Sequence, residues 1–108
     1  MKVNFNAVFK DCFGNPIVES RNGESAPQEV WRVVASKLFG LSVLGGTMLS
    51  PDQKYMAYEL SMRISGNPSE TECTTEEASF IKDVCAEQLS AGAYGLVVDM
   101  IENNNQQL

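Results

Sequence analysis

Two helix-start signatures constrain this chain more than any other feature of its sequence. In "SPDQ", Ser50 suits a helix cap, the proline suits the first helical position, and the glutamine completes a capping box. In "TTEE", Thr74 and Glu77 form the same reciprocal pair. Helices are therefore predicted over 51–65 and 74–92.

Two further helices are predicted from apolar spacing. The first covers 27–39, where Ser25 and Gln28 provide a capping box and a proline occupies the first turn. The second is the closing segment "AYGLVVDMIE", 93–102, which carries apolar residues at helical spacing. Residues 103–108, "NNNQQL", are expected to form a polar tail.

The N-terminal segment predicts strands. "VNFNAVF" alternates apolar and polar residues, Gly14 and its asparagine neighbour favour a turn, and "PIVES" follows as a returning strand. These features predict a hairpin over 2–20 and then a polar loop over 20–29, with a short third strand near 70–73. The predicted fold class is α+β, with an N-terminal β-hairpin packed against three or four α-helices in one domain, 1–102.

Charge and hydropathy exclude several classes of function. The 108 residues carry a net charge of −6, and the eight basic residues are scattered, so nucleic acid is not an expected partner. No segment reaches the roughly 18 consecutive apolar residues that a membrane span needs. The N-terminal segment has no continuous signal-peptide core. We therefore expect a cytoplasmic protein that does not associate with membranes.

The cysteines do not indicate a metal or redox site. Cys12, Cys73 and Cys85 form no C-x-x-C pair, and the chain has no histidine, so a zinc site of the usual type would lack ligands. Cys73 precedes a predicted helix start, which is the best position for a nucleophile, but the glutamates around it are expected to raise its pKa. We expect no metal, no cofactor and no catalytic residue.

Two other segments allow a chemical and a structural interpretation. Gly92 and Gly95 resemble part of a phosphate loop, but they follow a helix instead of a strand and no lysine comes after them, which favours a helix–turn–helix corner. Acidic residues cluster just before and within a predicted helix start: Glu70, Glu72, Glu76 and Glu77. Acids at that position stabilise the helix dipole, which we favour over acid–base chemistry.

The segment 37–49, "KLFGLSVLGGTML", is the most apolar part of the chain. In one interpretation it packs into the core and its glycines provide turns. In the other, part of it lies exposed as a contact surface for a partner or a second copy. With a nearby tryptophan, the residues considered as interface candidates are Trp31, Phe39, Leu41, Val43, Leu44 and Met48.

The strings "MKVNFNAVFKDCFGNPI", "KYMAYELSMRI", "TTEEASFIKDV" and "AYGLVVDMIE" follow a recognisable pattern. Its elements are a strand–turn–strand start, Y-x-L-A/S at Tyr58, T/S-x-E-E at Thr74 and Y-G-x-x-V at Tyr94. In this pattern the chain resembles a group of small proteins encoded by tailed bacteriophages and prophages. The glycine-rich 40–46 insert and the asparagine-rich tail depart from it. The resemblance implies a phage origin and action in the host cytoplasm, and its motifs assign no active residue.

Together these features predict a non-enzymatic accessory protein that acts through protein–protein contact. A host or phage protein is the expected partner, and self-association as a homodimer, through a hairpin edge or the 37–49 segment, is also considered. The alternatives are a nucleic-acid-associated regulatory protein and a small ligand-binding protein.

Overall fold

Helices provide the framework of the fold. The computed structural model describes the backbone of residues 1–106 and the side chains of residues 1–103. Its helices within that range are α1 (Val30–Phe39), α2 (Pro51–Gly66), α3 (Thr75–Gln88) and α4 (Ala91–Gln106). Helix α1 packs against α2 and α3, and α3 packs against α4. The α+β class is confirmed, because short antiparallel strands accompany these helices.

The strands form small antiparallel pairs. β1 (Lys2–Val3) pairs with β6 (Thr71–Glu72), β2 (Val18–Arg21) with β3 (Glu24–Pro27), and β4 (Val43–Leu44) with β5 (Thr47–Met48). A single 3₁₀ turn, Pro68–Glu70, leads into β6. The pairing of β1 with β6 confirms the short strand that was predicted near 70–73.

Two of the three predicted capping boxes, those at Ser50 and Thr74, are confirmed. The Ser50 hydroxyl accepts a hydrogen bond from the Gln53 N–H at 3.2 Å, and the Gln53 side chain accepts one from the Ser50 N–H at 2.9 Å. Thr74 and Glu77 make the same two bonds at 3.1 and 2.8 Å. Each box satisfies two N–H groups that a helix start would otherwise leave without partners.

The predicted hairpin over 2–20 is wrong in its bounds. The regular hairpin consists of β2 and β3 and turns at Asn22 and Gly23, whose φ angles are 55° and 80°. Positive φ at both central residues is typical of the two-residue turn that matches strand twist. The predicted polar loop over 20–29 is therefore wrong as well, because it contains the turn and β3.

A second turn lies before β2. The Asp11 carboxylate accepts hydrogen bonds from the N–H groups of Phe13 and Asn15, and Lys10 forms an isolated bridge with Pro16. Gly14 has a φ of 86° there. The sequence thus located this turn correctly, but only a bridge, and no continuous ladder, extends from it.

Helix α1 begins at Val30, three residues after the predicted start. The predicted capping box of Ser25 with Gln28 does not form, because Ser25 lies in β3 and pairs with Ser20. Glu29 is the N-cap residue, and its side chain makes no capping bond. Strand pairing therefore overrides the local helix signal at this position.

The helix corner lies earlier than the glycines that suggested it. Helix α3 ends at Gln88, Leu89 has extended dihedrals, and α4 already begins at Ala91. Gly92 and Gly95 consequently lie inside α4, and neither has a positive φ. The predicted corner at these glycines is thus wrong in position, and the helical backbone here does not form a phosphate-binding turn.

Helix α4 continues to Gln106, so the predicted tail 103–108 begins as helical backbone, and its residues 107 and 108 lie outside the described residues.

One apolar core joins the N-terminal segment to all of these helices. Its largest fully buried side chains include Phe5, Phe9, Leu38, Leu60, Ile64, Ile81 and Ile101. Within residues 1–106, no helix has an apolar stretch long enough to cross a bilayer.

Candidate protein interface

The six interface candidates divide into two sets. Phe39, Val43 and Met48 are exposed, at 65%, 42% and 70% of their surface. Trp31, Leu41 and Leu44 are half-buried and pack against the core. Within the 37–49 segment, Leu41 and Leu44 pack against the core, whereas Phe39, Val43 and Met48 are exposed, and a partner at these exposed residues stays a prediction.

Val43 and Met48 lie directly opposite each other in the β4–β5 hairpin. Gly45 and Gly46, with φ angles of 61° and 76°, form its turn. The Gly45 N–H donates to the Glu87 carboxylate at 2.9 Å and ties the hairpin to α3. These two exposed side chains therefore belong to a small hairpin that α3 supports.

Phe39 belongs to a larger exposed surface on α1 and α2. Its ring centroid lies 6.3 Å from that of Tyr58, which lies 5.9 Å from that of Tyr55. Tyr55, Tyr58 and Met62 are 62%, 47% and 51% exposed. We call the surface formed by Trp31, Phe39, Tyr55, Tyr58 and Met62 the aromatic face.

Tyr55, Tyr58 and Met62 are not among the interface candidates predicted from the sequence. Their spacing of three and four residues places them along one side of α2, while Ala57, Leu60, Ser61 and Ile64 form its buried side. These three residues form a second apolar stripe on α2, apart from its core stripe, and their spacing can be read from the sequence.

A groove of about 430 Å³ runs between α1 and α2 beside these rings. Its larger lining residues are Trp31, Arg32, Phe39 and Met62. The remaining lining residues are small: Ala35, Ser36, Gly40, Ser61 and Ser65. Small side chains between two helices allow another chain to approach the backbone closely.

The Glu29 carboxylate fixes the orientation of Trp31. It accepts a hydrogen bond from the indole N–H at 2.6 Å and from Arg21 at 3.2 Å, and Arg32 approaches it to 3.4 Å. The Arg32 guanidinium also lies 4.6 Å from the centre of the Trp31 ring, within cation–π range. The hydrogen bond from Trp31, with those from the two arginines, lowers the pKa of Glu29 despite the opposing effect of burial. The groove wall at Trp31 is thus held in place by a hydrogen bond and a cation–π contact.

The two buried cysteine thiols, Cys73 and Cys85, are not activated. Burial, followed by the negative charge of Glu77, raises the pKa of the Cys73 thiol. Burial alone raises that of Cys85 to about 12. Because the thiolate is the reactive form, both thiols are held in their unreactive state at neutral pH. Across the described residues, no three His, Cys, Asp or Glu side chains converge as a metal site.

The acidic cluster before and within α3 is mainly a surface feature. Glu70, Glu72 and Glu76 are exposed, and Glu77 is half-buried against Arg63, to which it is bonded at 2.9 Å. Glu77 therefore supports the helix start and an ion pair.

Comparison with family models, with curated proteins and with solved structures finds no match to this chain.

Proposed function

We propose that this chain is a non-enzymatic phage or prophage accessory protein that acts by protein–protein contact in the host cytoplasm. The aromatic face on α1 and α2 is the observation that carries the proposal. The phage origin and the compartment are supported by the sequence motifs that resemble phage proteins.

Aromatic and methionine side chains suit this role. Tyr, Trp and Met are enriched in the centres of protein interfaces, and aromatic anchors contribute most of the binding free energy there. Phe39, Tyr55 and Tyr58 contact one another in a row, so binding would order little that is not already ordered. The acidic balance of the whole chain disfavours nucleic acid as the partner.

A matched pair of variants tests the proposal. The double variant F39S/Y58S removes two rings of the aromatic face, and F13S removes a phenylalanine that is 84% exposed but lies outside the face. Immobilised wild type and both variants are incubated with extract of a host cell. Each captured protein is then purified, and its affinity is measured by titration calorimetry.

We expect a partner whose affinity falls at least about 30-fold in F39S/Y58S, which is the loss that interface anchors typically show, and is unchanged in F13S. Equal affinity of every captured partner for the three proteins would overturn the proposal.

A further inference from the structure

We propose that Asn22, in the turn between β2 and β3, is a site of spontaneous modification in the folded protein. Its side-chain amide is converted to aspartate and isoaspartate, and the isoaspartate form opens the β2–β3 hairpin. The reacting groups are the Asn22 side chain and the backbone nitrogen of Gly23. Water is the co-reactant, so the reaction needs no enzyme and no cofactor.

Asn22 differs from the other asparagines in the residue that follows it. It is the one asparagine of the chain that precedes a glycine, whereas Asn15 and Asn67 precede prolines. Glycine has no Cβ to hinder an attack by its own backbone nitrogen, and the nitrogen of proline has no proton to lose. This reaction is therefore favoured at Asn22 and blocked at the two Asn-Pro sites.

The chemistry is an exchange of amide bonds followed by hydrolysis. A bond forms between the Gly23 nitrogen and Cγ of Asn22, the bond from Cγ to Nδ2 breaks, and ammonia leaves with the proton of the backbone nitrogen. Water then opens the resulting succinimide ring at one of its two carbonyl carbons. Opening at Cγ gives aspartate, and opening at the backbone carbonyl carbon gives isoaspartate. Each product adds one negative charge to the net charge of −6.

The turn leaves both reacting groups accessible. Asn22 and Gly23 are exposed, and the Gly23 N–H makes no backbone hydrogen bond to any described residue. Apart from its two chain neighbours, no described residue has a heavy atom within 4 Å of the position that a Cβ on Gly23 would take. The succinimide ring therefore has room to form.

The β2–β3 hairpin can open without unfolding the rest of the protein. Ring closure requires a rotation of the peptide group between Asn22 and Gly23, which opens the turn briefly. None of the eight residues of β2 and β3 is buried, and the two strands pack mainly against each other. Segments with few buried contacts open locally at a free energy far below that of global unfolding. The folded chain is therefore competent for the reaction.

The two products affect the turn differently. Asn22 has a φ of 55°, and aspartate tolerates this left-handed conformation at the same turn position. Isoaspartate instead adds a methylene group to the main chain within a two-residue turn. The pairing of Arg21 with Glu24, which closes this turn, is then lost.

Loss of the turn also removes a restraint on the aromatic face. The Arg21 side chain donates to the Pro27 carbonyl at 3.0 Å and to the Glu29 carboxylate at 3.2 Å. Glu29 also accepts the hydrogen bond from the Trp31 indole. When isoaspartate opens the hairpin, Arg21 leaves Glu29, and the surroundings of Trp31 change.

Ageing of the full chain at mildly alkaline pH, followed by peptide mapping with mass spectrometry, tests the modification. Electron-transfer fragmentation distinguishes aspartate from isoaspartate. We expect both products at residue 22 and neither at Asn15 or Asn67. The rate in the folded chain should lie within about tenfold of the rate in the same chain unfolded in urea. A folded chain in which Asn22 reacts more slowly than this would overturn the proposal.

Two variants test the opening of the hairpin. Asn22→Gly keeps a residue suited to this turn but has no amide to lose, and Asn22→Asp carries the aspartate product from the start. The isoaspartate fraction of aged wild type is isolated by chromatography, and its Trp31 emission is compared with that of the variants. We expect a shifted emission in this fraction, and the emission of fresh wild type in Asn22→Asp and in aged Asn22→Gly. An unshifted isoaspartate fraction, or an equal shift in aged Asn22→Gly, would overturn the opening of the hairpin.

Discussion

At the residue scale, one carboxylate joins three elements. An oxygen of Glu77 accepts hydrogen bonds from Arg63 on α2 at 2.9 Å and from the Thr74 N–H at the start of α3 at 2.8 Å. Arg63 also donates to the Glu72 carbonyl on β6 at 2.9 Å. Burial opposes the charged form of Glu77, but the hydrogen bonds from Arg63 and Thr74 outweigh this effect and lower its pKa from 4.5.

Glu77→Gln tests this ion pair, because glutamine can keep the capping box but cannot pair with Arg63 as an anion. We expect the free energy of unfolding at pH 7 to fall by about 1–2 kcal/mol. A lowered folded-state pKa gives stability that is present above the unfolded value and lost as pH falls through the folded value. The deficit should therefore shrink below pH 4.5, which urea denaturation at pH 7 and at low pH measures.

Glu76→Gln provides the control, because this exposed residue of the same first helical turn has no ion pair with Arg63. Its unfolding free energy at pH 7 should fall by only the helix-dipole contribution, about 0.3–1 kcal/mol, which is less than in Glu77→Gln. A Glu77→Gln deficit that is equally large at low pH would contradict the role of the charge.

Trp31 reports on the Glu29 carboxylate, because it is the one tryptophan of the chain. In the wild type, the emission of Trp31 should change as pH falls below 4.5 and the lowered pKa of Glu29 is passed, since protonation weakens the bond to the indole. Glu29→Gln should remove this titration, whereas Glu24→Gln, at an exposed position of β3, should keep it. A titration that persists in Glu29→Gln would contradict the assignment.

At the element scale, glycines with different backbone conformations should respond oppositely to alanine. Gly95 lies within α4 with open space where a Cβ would be added, so Gly95→Ala should stabilise the protein by about 0.5–1 kcal/mol. Gly23 has a φ of 80° in the β2–β3 turn, so Gly23→Ala should destabilise it by about 1 kcal/mol. Thermal unfolding of both variants measures whether each substitution raises or lowers the stability of the protein. Destabilisation by Gly95→Ala would show that this glycine has a role in packing.

At the scale of the whole molecule, two adjacent residues of α1 lie in different environments, one in the core and one at the surface. Leu38 is 1% exposed in the core, and Phe39 is 65% exposed on the aromatic face. Leu38→Ala should cost about 2–5 kcal/mol because it leaves a cavity. Phe39→Ser should change the free energy of unfolding of the monomer by no more than about 0.5 kcal/mol. Urea denaturation at low protein concentration compares them, and a large loss in Phe39→Ser would place Phe39 in the core.

The parts of the fold that depend on neighbouring residues could be predicted from the sequence. The capping boxes at Ser50 and Thr74 need only side chains three residues apart, and both formed as predicted. Asn22-Gly23 carries an equally local hairpin signal, but it lies within the stretch that was predicted as a polar loop, next to the capping pattern at Ser25. Gly92 and Gly95 were predicted to form the corner between the last two helices. A helix tolerates glycine, however, and both residues lie within α4.

The candidate site could be predicted only in part. Trp31 and Phe39 are among the candidates predicted from the sequence, whereas Tyr55, Tyr58 and Met62 are not, because they lie on a side of α2 apart from the residues that reach the core. Whether a side chain in the 37–49 segment lies in the core or at the surface depends on how α1 is rotated against α2. That rotation is set by packing between elements distant in sequence.

The chain by itself determined its class, the starts of α2 and α3, and the absence of histidine chemistry, because these follow from composition and from contacts within one helical turn. Only the tertiary structure decided that β1 pairs with β6, and that Phe39, Tyr58 and Tyr55 meet in a row beside a groove. The reason is physical: strand pairing and helix packing join residues far apart along the chain, and their free energy depends on surfaces that exist only once the elements have assembled.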